Sequence, residues 1–394
     1  MTQFLKKLFK FPTILFLIIP ILILGIFFID FPAPFVPITG IDFIGSASFP
    51  TSFSFQKTPM GGFSGITYDS KKQLFYTISD DRSDKAPARF YTLKIDLSRG
   101  LLKNGDVVPV GVTTLLNEAK QTFPTGSLDP EGIALSNETV FVSSEGDVRQ
   151  QINPFIKEFS ISSGQELTSL PISNKFLPDK SGKRGIRNNL AFESLTITPD
   201  KRYLFSATEN ALLQDGSQAK PKVSSPCRIL QYNLRTRKPE KEFLYKTEAI
   251  APLFNLSPRF DSGLTDLIAL DNYGNFLSLE RTFTGLGFSI AIYQVSIESA
   301  DDISKIESLA TVDLNNIKPV AKKLLFDLRT LDLALDNIEG FTLGDKLPDG
   351  QRSLILVSDN NFNPLQQTQV LAFKLKMEAP IIRLIRHLFS AFGN

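Results

Sequence analysis

Between Asp129 and Asp147 the chain reads DPEGIALSNETVFVSSEGD: an acid and a glycine, a short apolar run, a turn, a second apolar run and another acid. Each run is about five residues long, the length of a β-strand bounded by turn residues. Antiparallel strands joined by a tight turn bring the start of the first beside the end of the second. Glu131 and Glu145 are therefore expected at one edge of a sheet.

The same unit recurs along the chain. First strands open at Ser64, Glu131, Glu193, Thr265 and Glu339, spaced 62 to 74 residues apart. Second strands end in Asp80, Glu145, Glu209, Glu280 and Asp359, and a third alternating strand follows each. Fourth strands can be drawn at 107–116, 166–172, 241–247 and 307–314. The fifth repeat, ending near residue 377, takes its fourth from Ile41–Phe49. Repeated four-stranded antiparallel units predict an all-β fold, a β-propeller. Pairing the first segment with the last closes the ring and removes two open edges. Five blades fit the count best, with six as the alternative. Loops at 173–190, 213–226 and 315–336 carry the excess length, and Pro319–Leu328 reads as a short helix.

The segments outside 41–377 differ in kind. Residues 11–29 are uncharged and almost wholly apolar, preceded by Lys6, Lys7 and Lys10. Nineteen such residues suffice for a helix across a hydrocarbon core of roughly 30 Å, and the lysines put the N-terminus inside. The run ends without a small-residue cleavage site. Residues 1–29 therefore read as an anchor that leaves the propeller outside the cytoplasm, periplasmic or extracellular; cleavage as a signal peptide would leave it secreted. A proline-rich stalk at 30–40 follows. Residues 378–394 form an expected basic amphipathic helix, docked on the propeller or lying on the membrane.

Composition narrows the chemistry. The formal net charge of +2 argues against a general nucleic-acid binder. The lone cysteine, Cys227, forms no intrachain disulfide and reads as a packed residue. The single histidine, His387, lies near the C-terminus, so the repeats themselves offer none for a Ser-His-Asp triad or a His-ligated zinc site.

Acids make up 41 of 394 residues, so an acid at the end of all five second strands exceeds chance. Adding Asp81 and the first-strand acids Glu131, Glu193 and Glu339 places up to nine carboxylates at one mouth of the channel. Asp266 lies one place out of register and Ser64 stands where an acid is otherwise found. Carboxylates so crowded must pair with arginines, protonate or bind cations. Individual strand-end acids also commonly serve as hydrogen-bond acceptors for turns. Hard cations such as calcium take six to eight oxygen ligands and need no histidine. The metal-ligand candidates are Asp80, Asp81, Glu131, Glu145, Glu193, Glu209, Glu280, Glu339 and Asp359. Glu145 and Glu209 are also the candidate acid/base or water-activating residues. Arg82, Arg187 and Arg281, with Asn189, Asn210 and Asn360, have the forks and amides to hold a phosphate, or to form internal salt bridges.

The motifs GGFSGITY at 61–68, SDDR at 79–82, DPEGIA at 129–134, SSEGD at 143–147, RNNLAFESL at 187–195, ATENAL at 207–212, DNIEG at 336–340 and SDNNFN at 358–363 occur in order. In this set the chain resembles the "esterase-like activity of phytase" family, bacterial envelope proteins with a phytase-like propeller. The resemblance, from about residue 40 to 376, implies ester or phosphoester hydrolysis, with calcium at an acidic channel mouth and a small phosphorylated or ester substrate. The alternative is a non-catalytic, membrane-tethered propeller that binds a small ligand, sugar or partner protein.

Overall fold

The structure, a computed structural model, describes residues 38–250, 261–283 and 287–378. The apolar run at 11–29 and all but the first residue of the helix expected at 378–394 lie outside these residues, as does the stalk up to residue 37. Ile38–Gly40, read as the end of that stalk, already belong to a strand. Among the described residues no helix is long and apolar enough to cross a membrane.

In chain order, β1 (Ile38–Pro50) is followed by a small hairpin, β2 (Ser54–Phe55) and β3 (Thr58–Pro59). The first blade holds β4 (Phe63–Asp69), β5 (Leu74–Ser79), β6 (Arg89–Ile95) and β7 (Val107–Thr114). The second holds β8 (Pro130–Ser136), β9 (Thr139–Ser144), β10 (Phe155–Ser160) and β11 (Glu166–Leu170). The third holds β12 (Phe192–Ile197), β13 (Tyr203–Thr208), β14 (Pro226–Asn233) and β15 (Lys238–Lys246). The fourth holds β16 (Asp261–Ala269), β17 (Asn275–Phe283), β18 (Phe288–Ser296) and β19 (Ala321–Asp327). In the fifth, β20 (Asn337–Lys346), β21 (Arg352–Asp359) and β22 (Gln367–Met377) are completed by β1. The protein is a five-bladed propeller of four-stranded sheets.

The fourth blade's outer strand departs from the sequence reading. Residues 307–314 hold short 3-10 turns rather than a strand, and Ala321–Asp327, read as a helix, forms β19 against β18. An outer strand pairs on one side only. Its mixture of lysines and leucines therefore carries neither clean alternation nor a helical stripe.

The inner strands alternate so that successive residues feed the two neighbouring interfaces. Val140 and Val142 of β9 pack with Ile78 and Phe90 of the first blade, while Phe141 between them packs with Phe192 and Leu204 of the third. Phe205 meets Phe276 across the next interface, and Leu277 and Leu279 meet Phe341 and Phe373 across the fourth. Phe63, Phe75 and Tyr91 then close the ring against Ile355, Val357 and Ala372.

β1 pairs with β22 from Ile38 opposite Met377 to Pro50 opposite Gln367 and so fastens the two ends of the repeat. A chain lacking residues 1–50 leaves the β22 edge bare. The expected cost is comparable with the whole stability of a domain, about 5–15 kcal/mol. Loss of the cooperative thermal transition, with aggregation on size exclusion, is the expected readout. A sharp melt like that of the full chain would refute closure by β1.

Candidate functional site: an acidic basin at the channel mouth

Each first strand breaks register with its second strand at the same place. The shifts fall between Phe63 and Gly65, Pro130 and Ile133, Phe192 and Ser194, Leu264 and Asp266, and Ile338 and Gly340. The residues at these bulges are Ser64, Glu131, Glu193, Thr265 and Glu339. A bulge re-aims its side chain, which is how three glutamates on channel-lining strands come to face one mouth. The strands also crowd one another there. A Cβ on Gly65 would lie 2.6 Å from the Glu131 carbonyl oxygen, and one on Gly132 would lie 2.7 Å from that of Glu193. Glycine after the bulge lets neighbouring blades approach this closely.

The bulges also settle the second-strand register. The residue just before the bulge lies opposite Ser79, Thr208, Glu280 and Ser358 in blades one, three, four and five, and Pro130 lies opposite Ser144 in blade two. The ring position is the next residue along: Asp80, Glu145, Glu209, Arg281 and Asp359. Glu280, read as the fourth blade's ring acid, is one residue early and on the other face. There it accepts hydrogen bonds from Tyr245 Oη at 2.7 Å, Lys322 Nζ at 2.8 Å and the Glu248 amide at 2.8 Å. The fourth blade thus contributes an arginine to the ring, and Thr265 holds its bulge. Asp266, one place further, is buried and accepts from the Phe341 amide at 3.0 Å, tying the fourth blade to the fifth.

The ring opens into a cavity of about 450 Å³ whose walls include Asp80, Glu131, Glu193, Glu339 and Asp359 together with Arg281 and Asn189. Glu145 and Glu209 lie buried against this wall. Two sets of carboxylates, Asp80/Asp129/Glu131 and Glu131/Glu145/Glu193, each bring one oxygen per residue within 4.8 Å of the others. Glu145 Oε1 accepts from the Ala191 amide, while Glu145 Oε2 and Glu209 Oε2 are buried with no protein partner.

Two arginines partly balance this charge. Arg281 donates to Glu209 Oε1 and to Asn337 Oδ1, both at 3.0 Å, and lies 3.5 Å from Asp261 and from Glu339. Burial alone would lower its pKa, but Glu339, Asp261 and Glu209 outweigh burial and hold the guanidinium charged. Arg82 forks onto Asp129, with Nε at 2.6 Å from Oδ1, and reaches Asn189 Oδ1 at 2.7 Å.

Proton affinity in the basin is high. Burial, then Glu209, pushes Glu145 up to about 8. Burial, then Asp261, pushes Glu209 up to about 8 against the pull of Arg281. Asp129 rises to about 7 through burial and Glu145, opposed by Arg82. Burial, reinforced by neighbouring acids, also raises Asp80, Glu131, Glu193 and Asp359 well above the usual carboxylate range. Excluded water and converging like charges favour the protonated form of these acids.

Other sequence candidates serve the scaffold. Asp81 is buried in an ion pair with Arg89 at 2.7 Å and caps the amides of Asp84, Lys85 and Ala86. Arg187 donates to the carbonyls of Ala211 at 2.9 Å and Gly216 at 2.6 Å. Asn210 bridges Ser262 and Ala219, and Asn360 bridges Gly62, Phe362 and Thr51. Asp81, Asn210 and Asn360 each directly follow a ring residue just past a strand end, and Arg187 lies in the loop that precedes β12. Conversely, Asp129, Asp261 and Asn337 belong to the basin although the sequence pattern did not mark them as site residues. For Asp129 the signal was its period-two spacing from Glu131.

An uncharacterized secreted protein of Arthroderma benhamiae is 26% identical over 137 residues, 29% of this chain and 25% of that protein. The match thus spans about a quarter of that relative's length. Among solved structures, an endo-arabinase from Bacteroides thetaiotaomicron aligns with a TM-score of 0.42 at 12% identity, over 84% of this chain and 98% of that one. The periplasmic gluconolactonase of Pseudomonas aeruginosa aligns with a TM-score of 0.35 at 11% identity, over 80% and 86% of the two chains. The model of the Phytase-like family, described as esterase-like activity of phytase, matches residues 58–362, and the chain belongs to that family.

Proposed function

We propose that this protein is a calcium-dependent ester hydrolase of phytase type that takes a phosphomonoester at the acidic basin and works outside the cytoplasm. The observation that carries the reading is the pair of carboxylate sets sharing Glu131, with Glu145 Oε2 buried beside them and unpartnered. A donor set made only of carboxylate oxygens suits a hard cation, and an unpartnered buried oxygen is costly without one. Asp80, Asp129, Glu131, Glu145 and Glu193 would hold it. Calcium bound there supplies positive charge beside the substrate phosphate and lowers the pKa of a water.

The chain's own residues divide the remaining work. Arg281, anchored by Glu209 and Asn337, holds its charge at the wall of the basin and offers the phosphate a fixed positive charge. Arg82 and Asn189 hold each other near the rim and orient the substrate from that side. Glu209, poised near pH 8 and not among those calcium ligands, carries or releases a proton at neutral pH, the property a general acid or base needs. The apolar run at 11–29, with lysines on its N-terminal side, supports a place in the envelope and a membrane contact.

The test is hydrolysis of 2-naphthyl phosphate by the full chain, with calcium and with a chelator. Glu209→Gln, which keeps the shape but cannot cycle a proton, is expected to lower kcat by about 10²–10⁴. Activity that ignores both the chelator and this substitution would sink the mechanism. Calcium binding with no turnover on a panel of esters would assign the basin to ligand binding instead.

A further inference from the structure

A second cavity opens beside the acidic basin and shares a wall with it. Its volume is about 730 Å³, within the usual range of small-ligand pockets. Gln366 lines both spaces. Its amide nitrogen donates to Asp336 on the groove side at 2.7 Å, and its amide oxygen accepts from Asn361 on the basin side at 3.4 Å.

The groove differs from the basin in charge. Leu335, Pro364 and Leu365 give it apolar surface, and Ser52 and Gln367 give it neutral hydrogen-bonding groups. No lysine or arginine lines it among the described residues. Its one charged residue, Asp336, has both oxygens in use: one by the Asn337 amide and Gln366, the other by the Gln367 amide at 2.8 Å. Leu365 stands 94% exposed on a loop whose backbone is pinned. Its amide donates to Asn363 Oδ1 at 3.0 Å, and Thr51 donates to the next carbonyl at 2.5 Å.

Resting on the reading of the basin as a phosphomonoester site, the geometry points to this groove as the subsite for the uncharged alcohol portion of the substrate, with Leu365 as its apolar contact. A phosphate held at Arg281 leaves the rest of the ester to pass Gln366 into the adjoining space. A second phosphate there would lose its water and meet no cation. An uncharged, partly apolar alcohol loses nothing and covers Leu365. The favoured substrate class is a monoester of such an alcohol rather than a polyphosphorylated polyol.

The experiment compares 2-naphthyl phosphate with inositol hexakisphosphate on the full chain with calcium, alongside Leu365→Glu and Leu365→Met. Because Leu365 is exposed, both variants should fold. The naphthyl ester is expected to show kcat/KM at least about tenfold higher, and Leu365→Glu to raise its KM about tenfold. In that variant kcat should stay within about twofold, since the groove binds ground and transition states alike, and Leu365→Met should restore KM. The dissociation constant of 2-naphthylphosphonate, read by fluorescence, should weaken in parallel. Turnover with a KM unchanged by Leu365→Glu overturns the groove assignment and leaves the hydrolase reading standing. Phosphonate binding that weakens in Leu365→Glu, with no turnover of any ester, supports the groove and overturns the hydrolase. A preference for the hexakisphosphate, or no phosphonate binding at all, overturns the groove assignment.

Discussion

Replacing Arg281 by methionine is expected to destabilise the protein by about 3–5 kcal/mol at pH 8.5 without divalent cations, the usual cost of breaking a buried pair by removing one partner. The substitution removes the counter-charge of Glu209, 3.0 Å away, and of Glu339 and Asp261, each 3.5 Å away. Methionine keeps the length and packing of the side chain, so the loss is electrostatic rather than a cavity. The cost should shrink toward pH 6, because Glu209, held near 8, then carries its proton and needs no partner. Urea unfolding of wild type and variant at both pH values measures this. An equal penalty at the two pH values would overturn this electrostatic account.

A second large effect is a stability that falls with rising pH until calcium is added. In the folded state Glu145 and Glu209 bind protons up to about pH 8, against an ordinary value of 4.5, and Asp129 up to about 7, against 3.8. Between those limits these groups hold more protons in the folded chain than in the unfolded one, so their contribution to stability is greatest below the ordinary carboxylate range. It is lost as pH climbs through 7 and 8. Each extra proton held costs about 1.4 kcal/mol per pH unit. Calcium bound to the same oxygens replaces those protons and should flatten the curve, with proton release on binding. Thermal melts from pH 5 to 9, with calcium and with chelator, test this. The idea fails if the chelated protein is as stable at pH 8.5 as at pH 5.5.

Much of the architecture was legible in the chain. Alternating apolar runs at regular distance, each closed by a small or acidic residue, specify antiparallel four-stranded units because strand side chains repeat every two residues. The closing role of residues 41–49 followed from the missing fourth strand of the last repeat. The basin was legible in outline for the same reason, since first-strand starts and second-strand ends share a mouth in any such fold. Where apolar pattern was weak the reading failed. β19 pairs on one edge only and exposes much of its length, so its local sequence carries little information.

The blades, their closure and the crowding of acids at one end follow from local periodicity and repetition. Which acids face one another depends on contacts between distant segments. A β-bulge leaves no mark on apolar periodicity, yet it sets which residue of the paired strand turns inward, and a one-residue slip reverses the face. That is why Glu280 points away while Arg281 takes its place, and why Asp81, Asn210 and Asn360 serve the scaffold. The same assembly brings Asp80 beside Asp129 and Glu131, and lays an uncharged groove along the basin through Gln366, contacts between segments that no local pattern encodes.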